Sequence, residues 1–158
     1  MKIFLDCDGV FAGFSEKVEE LLGPDWKNYG DGIWSILEKI PHFFDMLDLL
    51  ENSVKIVDAL RHHDLEFLTA CPRPAGNFKT APADKCKWIK RNVASDIPIN
   101  TIVGGKRKVL WLKENPGAVL IDDYGRNIRL WEEHGGIGIK HECVETTLEK
   151  LHVMGLTK

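Results

Sequence analysis

No stretch of this 158-residue chain approaches the roughly 20 consecutive apolar residues of a membrane span. The segment after Met1 reads as a strand, with no cleavable leader pattern, so the expected location is the cytoplasm, with no membrane partner. The sequence also lacks an excess of positive charge. Its formal net charge of -3 provides no global attraction to nucleic acid, and a polynucleotide groove would need a local basic patch. The four cysteines, Cys7, Cys71, Cys86 and Cys143, are scattered and contain no C-x-x-C pair. They read as reduced thiols of an intracellular protein. The six histidines show no zinc-type spacing. Repeats and low-complexity segments are absent. With 44% hydrophobic and 28% charged residues, the chain has the composition of a globular domain, not a disordered one.

The most informative segment is Lys2-Ile3-Phe4-Leu5-Asp6-Cys7-Asp8-Gly9-Val10. It is a short apolar strand ending in two carboxylates and a glycine. Residues two apart on an extended chain point the same way, so Asp6 and Asp8 leave the strand together. Adjacent acids repel, and the pair is tolerable when a cation lies between them or one is protonated. Alone, Asp-x-Asp-Gly also fits a turn or a calcium loop.

Further apolar runs at 65–69, 99–103, 118–121 and 137–140 read as strands, with helical spacing between most of them. Asn52 or Ser53 can cap a helix through Val54, Ile56, Val57 and Leu60. Asp84 is the expected N-cap of a helix carrying Cys86, Trp88, Ile89 and Val93. Lys108 to Glu114 is stopped by Asn115-Pro116-Gly117, and Asn127 to His134 by Gly135-Gly136. This alternation predicts an α/β fold, a parallel sheet with helices on both faces. The stretch 15–51 breaks it. Helical segments Ser15 to Leu22, Ile33 to Ile40 and Phe43 to Leu50 predict a small helical cap inserted after the first strand, over a core domain of residues 1–14 and 52–158.

Ligands of parallel sheets bind beyond the carboxyl ends of the strands. Asp6, Asp8, Thr69, Lys106, Asp122 and Asp123 all fall there, in the order a phosphoryl-transfer site needs. Asp6 is the candidate nucleophile. Asp8 is the candidate proton donor to the leaving oxygen and later the base for water. The Thr69 hydroxyl and neighbouring backbone amides, at Ala70, would hold phosphoryl oxygens. Lys106, in Gly104-Gly105-Lys106-Arg107-Lys108, would neutralise phosphate, with Arg107 and Lys108 competing for the role. Asp122 and Asp123 complete a carboxylate cluster suited to Mg²⁺. Taken singly, each has an ordinary explanation: a turn, a strand threonine, a solvated lysine, a helix cap. Together they need four coincidences.

Asp6-Cys7-Asp8-Gly9-Val10, Thr69, Lys106 and Ile121-Asp122-Asp123 resemble the four motifs of the haloacid-dehalogenase-like phosphatase superfamily, and the resemblance spans nearly the whole chain. It implies a Rossmann-like sheet, a Mg²⁺-dependent phosphoaspartyl mechanism and a cap governing substrate choice. It also implies metal ligation by Asp6, the Asp8 backbone carbonyl and an acid of the Asp122-Asp123 pair. Within the superfamily, the opening motif with Ala12 and Phe14, the pair Phe43-Phe44, and Pro82-Ala83-Asp84-Lys85 with Trp88-Ile89 resemble the 5'(3')-deoxyribonucleotidases. Gly13, Ala70-Cys71-Pro72 and the short cap depart from that family's pattern. The resemblance implies a nucleotide as small-molecule partner. Aromatic residues in the cap region suit stacking on a base, with Phe14, Trp34 and Phe44 as the candidates. A sugar phosphate, a polynucleotide 3'-phosphate and a non-catalytic phospho-ligand module are the alternatives. Nucleic acid is disfavoured by the acidic balance, and a homodimer is left open.

Overall fold

A computed structural model describes all residues, Met1–Lys158. Five parallel strands, β1 (Lys2–Leu5), β2 (Asp64–Cys71), β3 (Ile99–Val103), β4 (Val119–Asp122) and β5 (Ile137–Lys140), form one sheet in the order β3-β2-β1-β4-β5. The first strand in sequence is therefore central, and β2 and β4 flank it. The order reverses at β1, so the crevice above its carboxyl end is where an open α/β sheet accepts ligands.

Alternation along the strands divides the apolar side chains between two faces. Ile3, Leu5, Phe67, Val119, Ile121 and Ile139 enter a cluster of 29 buried residues on one face. Phe4, Leu68 and Leu120 enter a cluster of seven on the other. The larger cluster is covered by α3 (Val54–Leu60), α4 (Ala81–Asn92) and α6 (Val144–Val153). The smaller is covered by α5 (Gly125–Glu133) and a long 3-10 segment, Gly105–Lys113. The α/β expectation holds. α6 is an element for which the sequence pattern had suggested nothing. No helix is long and apolar enough to cross a membrane.

Between β1 and α3 lie α1 (Phe14–Leu22), a 3-10 turn Trp26–Tyr29, α2 (Gly32–Leu37) and a 3-10 turn Phe43–Asp45. The helix expected over Phe43 to Leu50 is only that single turn. Leu49 instead makes a bridge to Ala12, and the Leu50 amide donates to the Phe11 carbonyl at 2.7 Å, tying the insert to the chain after β1. Val18, Leu37, Phe43 and Phe44 belong to the same 29-residue cluster as the sheet, so the insert and the sheet share one core.

Two further local expectations change. β2 continues two residues past Thr69, because Ala70 and Cys71 still pair with Ile102 and Val103. Asp84 is not an N-cap. α4 starts three residues earlier, with Pro82 in its first turn where a missing N–H is harmless. Asp84 lies inside the helix, where it accepts from Thr80 Oγ1 at 2.7 Å and pairs with His42 of the insert at 2.9 Å.

Trp131 anchors the smaller face. It is fully buried, meets Phe4 edge-on at 5.7 Å and donates from Nε1 to the Ala118 carbonyl at 2.8 Å. With only seven residues in that cluster, little can collapse into the gap a truncation would leave. Trp131→Ala should lower unfolding free energy by about 3–5 kcal/mol, read as a shift in urea midpoint at constant m-value.

Candidate active site

The turn after β1 sets the geometry. The amides of Val10, Phe11 and Ala12 all point to the Cys7 carbonyl, at 3.2, 2.9 and 3.1 Å, and curl the chain tightly after the sheet. Gly9 has a positive φ of 79°, and a Cβ there would collide with the Asp123 carboxylate. Glycine is therefore required twice over, by backbone conformation and by the carboxylate folded against it. The Asp6 amide donates to the Ile121 carbonyl at 2.9 Å, which locks the tips of β1 and β4 side by side.

Asp6, Asp122 and Asp123 then converge, each offering a carboxylate oxygen within 4.8 Å of the others. Asp6 and Asp122 continue the parity of Phe4 and Leu120, and so face the side of the smaller cluster. From that side Lys108 enters, with only 1% of its surface exposed, and donates to Asp6 Oδ1 at 2.9 Å and to Asp122 Oδ2 at 2.8 Å. Asp122 is further held by the Tyr124 amide at 2.9 Å and by Asn127 Nδ2 at 3.0 Å.

Lys108 is thus the lysine of the site, and Lys106 is not. Lys106 is exposed and makes no ion pair with either acid. Within the 3-10 segment the two residues differ by two positions and so point in different directions. Only Lys108 turns under the sheet edge, alongside Leu112.

A second lysine arrives from the opposite face. Lys85 of α4 is 2% exposed and donates to Asp8 Oδ2 at 2.7 Å, Thr69 Oγ1 at 3.2 Å and the Ala70 carbonyl at 2.6 Å. Its ammonium also lies 4.5 Å from the centre of the Phe44 ring. The other Asp8 oxygen, Oδ1, is buried without a hydrogen-bond partner. The signal for Lys85 was present in the sequence: with Ala81, Trp88 and Ile89 it occupies the buried stripe of an amphipathic helix, a place a lysine takes only with a partner.

Burial pushes the Asp6 carboxyl well above its ordinary range, reinforced by Asp122 and opposed by Lys108. Burial likewise pushes Asp122 up, but Lys108 and the Tyr124 and Asn127 hydrogen bonds prevail and hold it below the usual value. Asp123, exposed as a residue but folded inward over Gly9, is pushed up to about 6 by desolvation and then by Asp122, against a hydrogen bond with Asp6. Lys108 and Lys85 are both raised: burial opposes their charge, and the neighbouring carboxylates, Asp6 with Asp122 and Asp8 respectively, outweigh it. Three carboxylates face one ammonium, so the cluster has room for more positive charge. Its ligand atoms are all hard oxygens, a donor set that fits Mg²⁺. Burial raises the Cys7 thiol well above its ordinary value and raises Cys71 as well, which leaves both protonated and unsuited to nucleophilic attack.

Beside Asp8 opens a cleft of about 560 Å³. Trp34, Phe44 and Phe78 form its aromatic wall, and Ala70, Arg73 and Gly104-Gly105 lie around the rest. Trp34 and Phe44, two of the three aromatic candidates, thus line the cleft. Phe14 does not line the cleft. It packs behind them, 5.7 Å from Trp34 and 6.4 Å from Phe44, as support for the wall. Thr69 is wholly buried beneath Ala70, its hydroxyl engaged by Lys85.

No protein-family model and no curated protein matches the sequence. Solved structures do match in fold. A HAD family enzyme from Bacteroides thetaiotaomicron superposes with a TM-score of 0.56 over 97% of both chains at 13% identity. A protein of Burkholderia xenovorans described as a haloacid dehalogenase-like hydrolase gives 0.54, over 96% of this chain and 86% of its own, at 8% identity. The chain therefore shares the Rossmann-like α/β fold of these structures.

Lys108→Met leaves Asp6 and Asp122 buried without their cation. The loss should be about 3–5 kcal/mol of stability, measured by thermal or urea denaturation in metal-free buffer.

Proposed function

We propose that this protein is a Mg²⁺-dependent phosphatase that hydrolyses nucleoside monophosphates, deoxyribonucleotides foremost, through an aspartyl-phosphate on Asp6. One observation carries the reading. Acids from the tips of β1 and β4 share a cluster with Lys108, while Asp8, held by Lys85 through one oxygen, lines the adjoining cleft with the other unpaired. Similarity of fold to haloacid-dehalogenase-like hydrolases agrees with it.

In this reading an Asp6 oxygen attacks phosphorus and the ester bond to the leaving oxygen breaks. Asp8, on the wall of the cleft, is the acid that delivers a proton to that oxygen. Asp8 then accepts a proton from water as the water oxygen attacks the phosphoryl group on Asp6, which releases inorganic phosphate and restores the free carboxylate. Lys108 restrains Asp6 and offsets the charge of the transferring group. Asp6, Asp122 and Asp123 would hold Mg²⁺, which when bound neutralises the surplus carboxylate charge and that of the phosphoryl oxygens. Trp34, Phe44 and Phe78 offer flat faces to a nucleobase, which is the basis for preferring a nucleotide to a sugar phosphate.

Hydrolysis of p-nitrophenyl phosphate should require Mg²⁺ and cease on chelation. Asp6→Asn should reduce it to background, and Asp8→Asn should lower kcat by about 10²–10⁴-fold while phosphate still binds. Turnover by Asp6→Asn, or no turnover by the native protein, would remove the phosphoaspartyl reading. Across deoxyribonucleotides and sugar phosphates at equal concentration, kcat/KM should favour the nucleotides. Trp34→Ala should erase that preference through KM.

A further inference from the structure

The net charge of -3 conceals a strong local asymmetry. Next to the cleft lies a depression of about 520 Å³ lined by Ala70, Gly104, Gly105, Lys106, Arg107, Tyr124, Arg126 and Asn127. Ala70, Gly104 and Gly105 also border the cleft, so the two are continuous across the double glycine. The depression also abuts the acid cluster. Tyr124 and Asn127, both on its wall, donate to Asp122. Arg126 extends it into two more hollows, one with Tyr124, Arg129 and Lys140, the other with Lys106, Arg129 and Glu133.

Lys106, Arg107, Arg126, Arg129 and Lys140 are all exposed. The first four make no ion pair, and Lys140 has only Glu142, 4.0 Å away. Glu133 is the one acid lining these hollows. The local cause is plain. In Gly104-Gly105-Lys106-Arg107-Lys108 only the last cation turns inward, and in α5 the burial of Asn127, Ile128 and Trp131 leaves Arg126 and Arg129 outward. Tyr124, 57% exposed, adds an aromatic face within the row.

A row of unpaired cations with an aromatic between them, starting at the reacting centre, matches a chain of phosphates. Resting on the phosphatase reading, we propose that this track binds a second phosphate or phosphodiester of the substrate. The preferred substrates are then nucleotides phosphorylated at one end and extended through phosphate at the other: a nucleoside bisphosphate or the phosphorylated end of a single strand.

The test compares KM for thymidine monophosphate, thymidine 3',5'-bisphosphate and a terminally phosphorylated oligothymidylate, in native protein and in the double variant Arg126→Ser/Arg129→Ser. The extended substrates should show KM at least about tenfold lower than the monophosphate, an advantage that shrinks with added salt. The double variant should abolish that advantage while leaving p-nitrophenyl phosphate turnover within twofold. A lower KM for the oligonucleotide than for the bisphosphate identifies a strand end; the reverse identifies the small molecule. Equal KM for all three, or equal loss by the variant on p-nitrophenyl phosphate, overturns the track. Fluorescence anisotropy of a labelled, phosphorylated oligothymidylate and calorimetry with the bisphosphate read binding without turnover. If no phosphate ester is hydrolysed, salt-sensitive binding of either ligand, lost in the double variant, still supports the track, and absence of both overturns it.

Discussion

Lys108 places one ammonium between the carboxylates of two adjacent strand tips, and the carboxyl edge of the sheet depends on that contact. Bringing Asp6 and Asp122 out of water is costly for each, and bringing them together adds their repulsion. One buried cation, donating to both at under 3 Å, offsets much of this and fixes their spacing. The arrangement stays acid-rich because Asp123 joins the cluster with no cation of its own. That residual imbalance sets the cluster apart from a simple buried salt bridge, whose charges would close on themselves.

The second lysine gives the other half of the site a different character. Lys85 reaches Asp8 from the face opposite Lys108, and in doing so gathers Thr69, the Ala70 carbonyl and the Phe44 ring around a single ammonium. The acid beside the cleft and the cleft's aromatic wall are thereby coupled through one side chain. Because Phe43 and Phe44 lie in the same core as Leu5 and Phe67, the insert does not form a separate hydrophobic unit. Its aromatic wall is held in register with the strand tips by the packing that stabilises the sheet.

Charge is sorted by face in the same way. Acids crowd the carboxyl ends of β1 and β4, and the outward side of α5 with the Gly104-Gly105 loop carries cations free of partners. A whole-chain charge averages the two and hides both. Asp6 and Asp8 were legible as acids following an apolar run of strand length, but the shared side that strand periodicity predicts for them does not hold. β1 ends at Leu5, and the curl after it carries Asp8 to Lys85 while Asp6 meets Lys108 on the other face. Asp122-Asp123 was legible because it follows an apolar run of strand length. The basic track was not, since nothing local distinguishes Lys106 and Arg107 from Lys108.

What the linear order determined is the alternation of strands and helices, the helical insertion after β1, and the set of acids at strand ends. Those follow from periodicity and turn chemistry, which act over a few residues. Only the tertiary structure decided which cation serves the acids, since the choice among Lys106, Arg107 and Lys108 depends on which side chain the 3-10 segment turns under β1 and β4. It also decided that Phe14 supports the cleft wall without lining it, that Asp84 ties α4 to the insert rather than capping the helix, and that Lys85 meets Asp8 across 77 positions of chain. Each of these is a contact between segments distant in sequence, set by the parallel order β3-β2-β1-β4-β5 and the helices packed on its two faces.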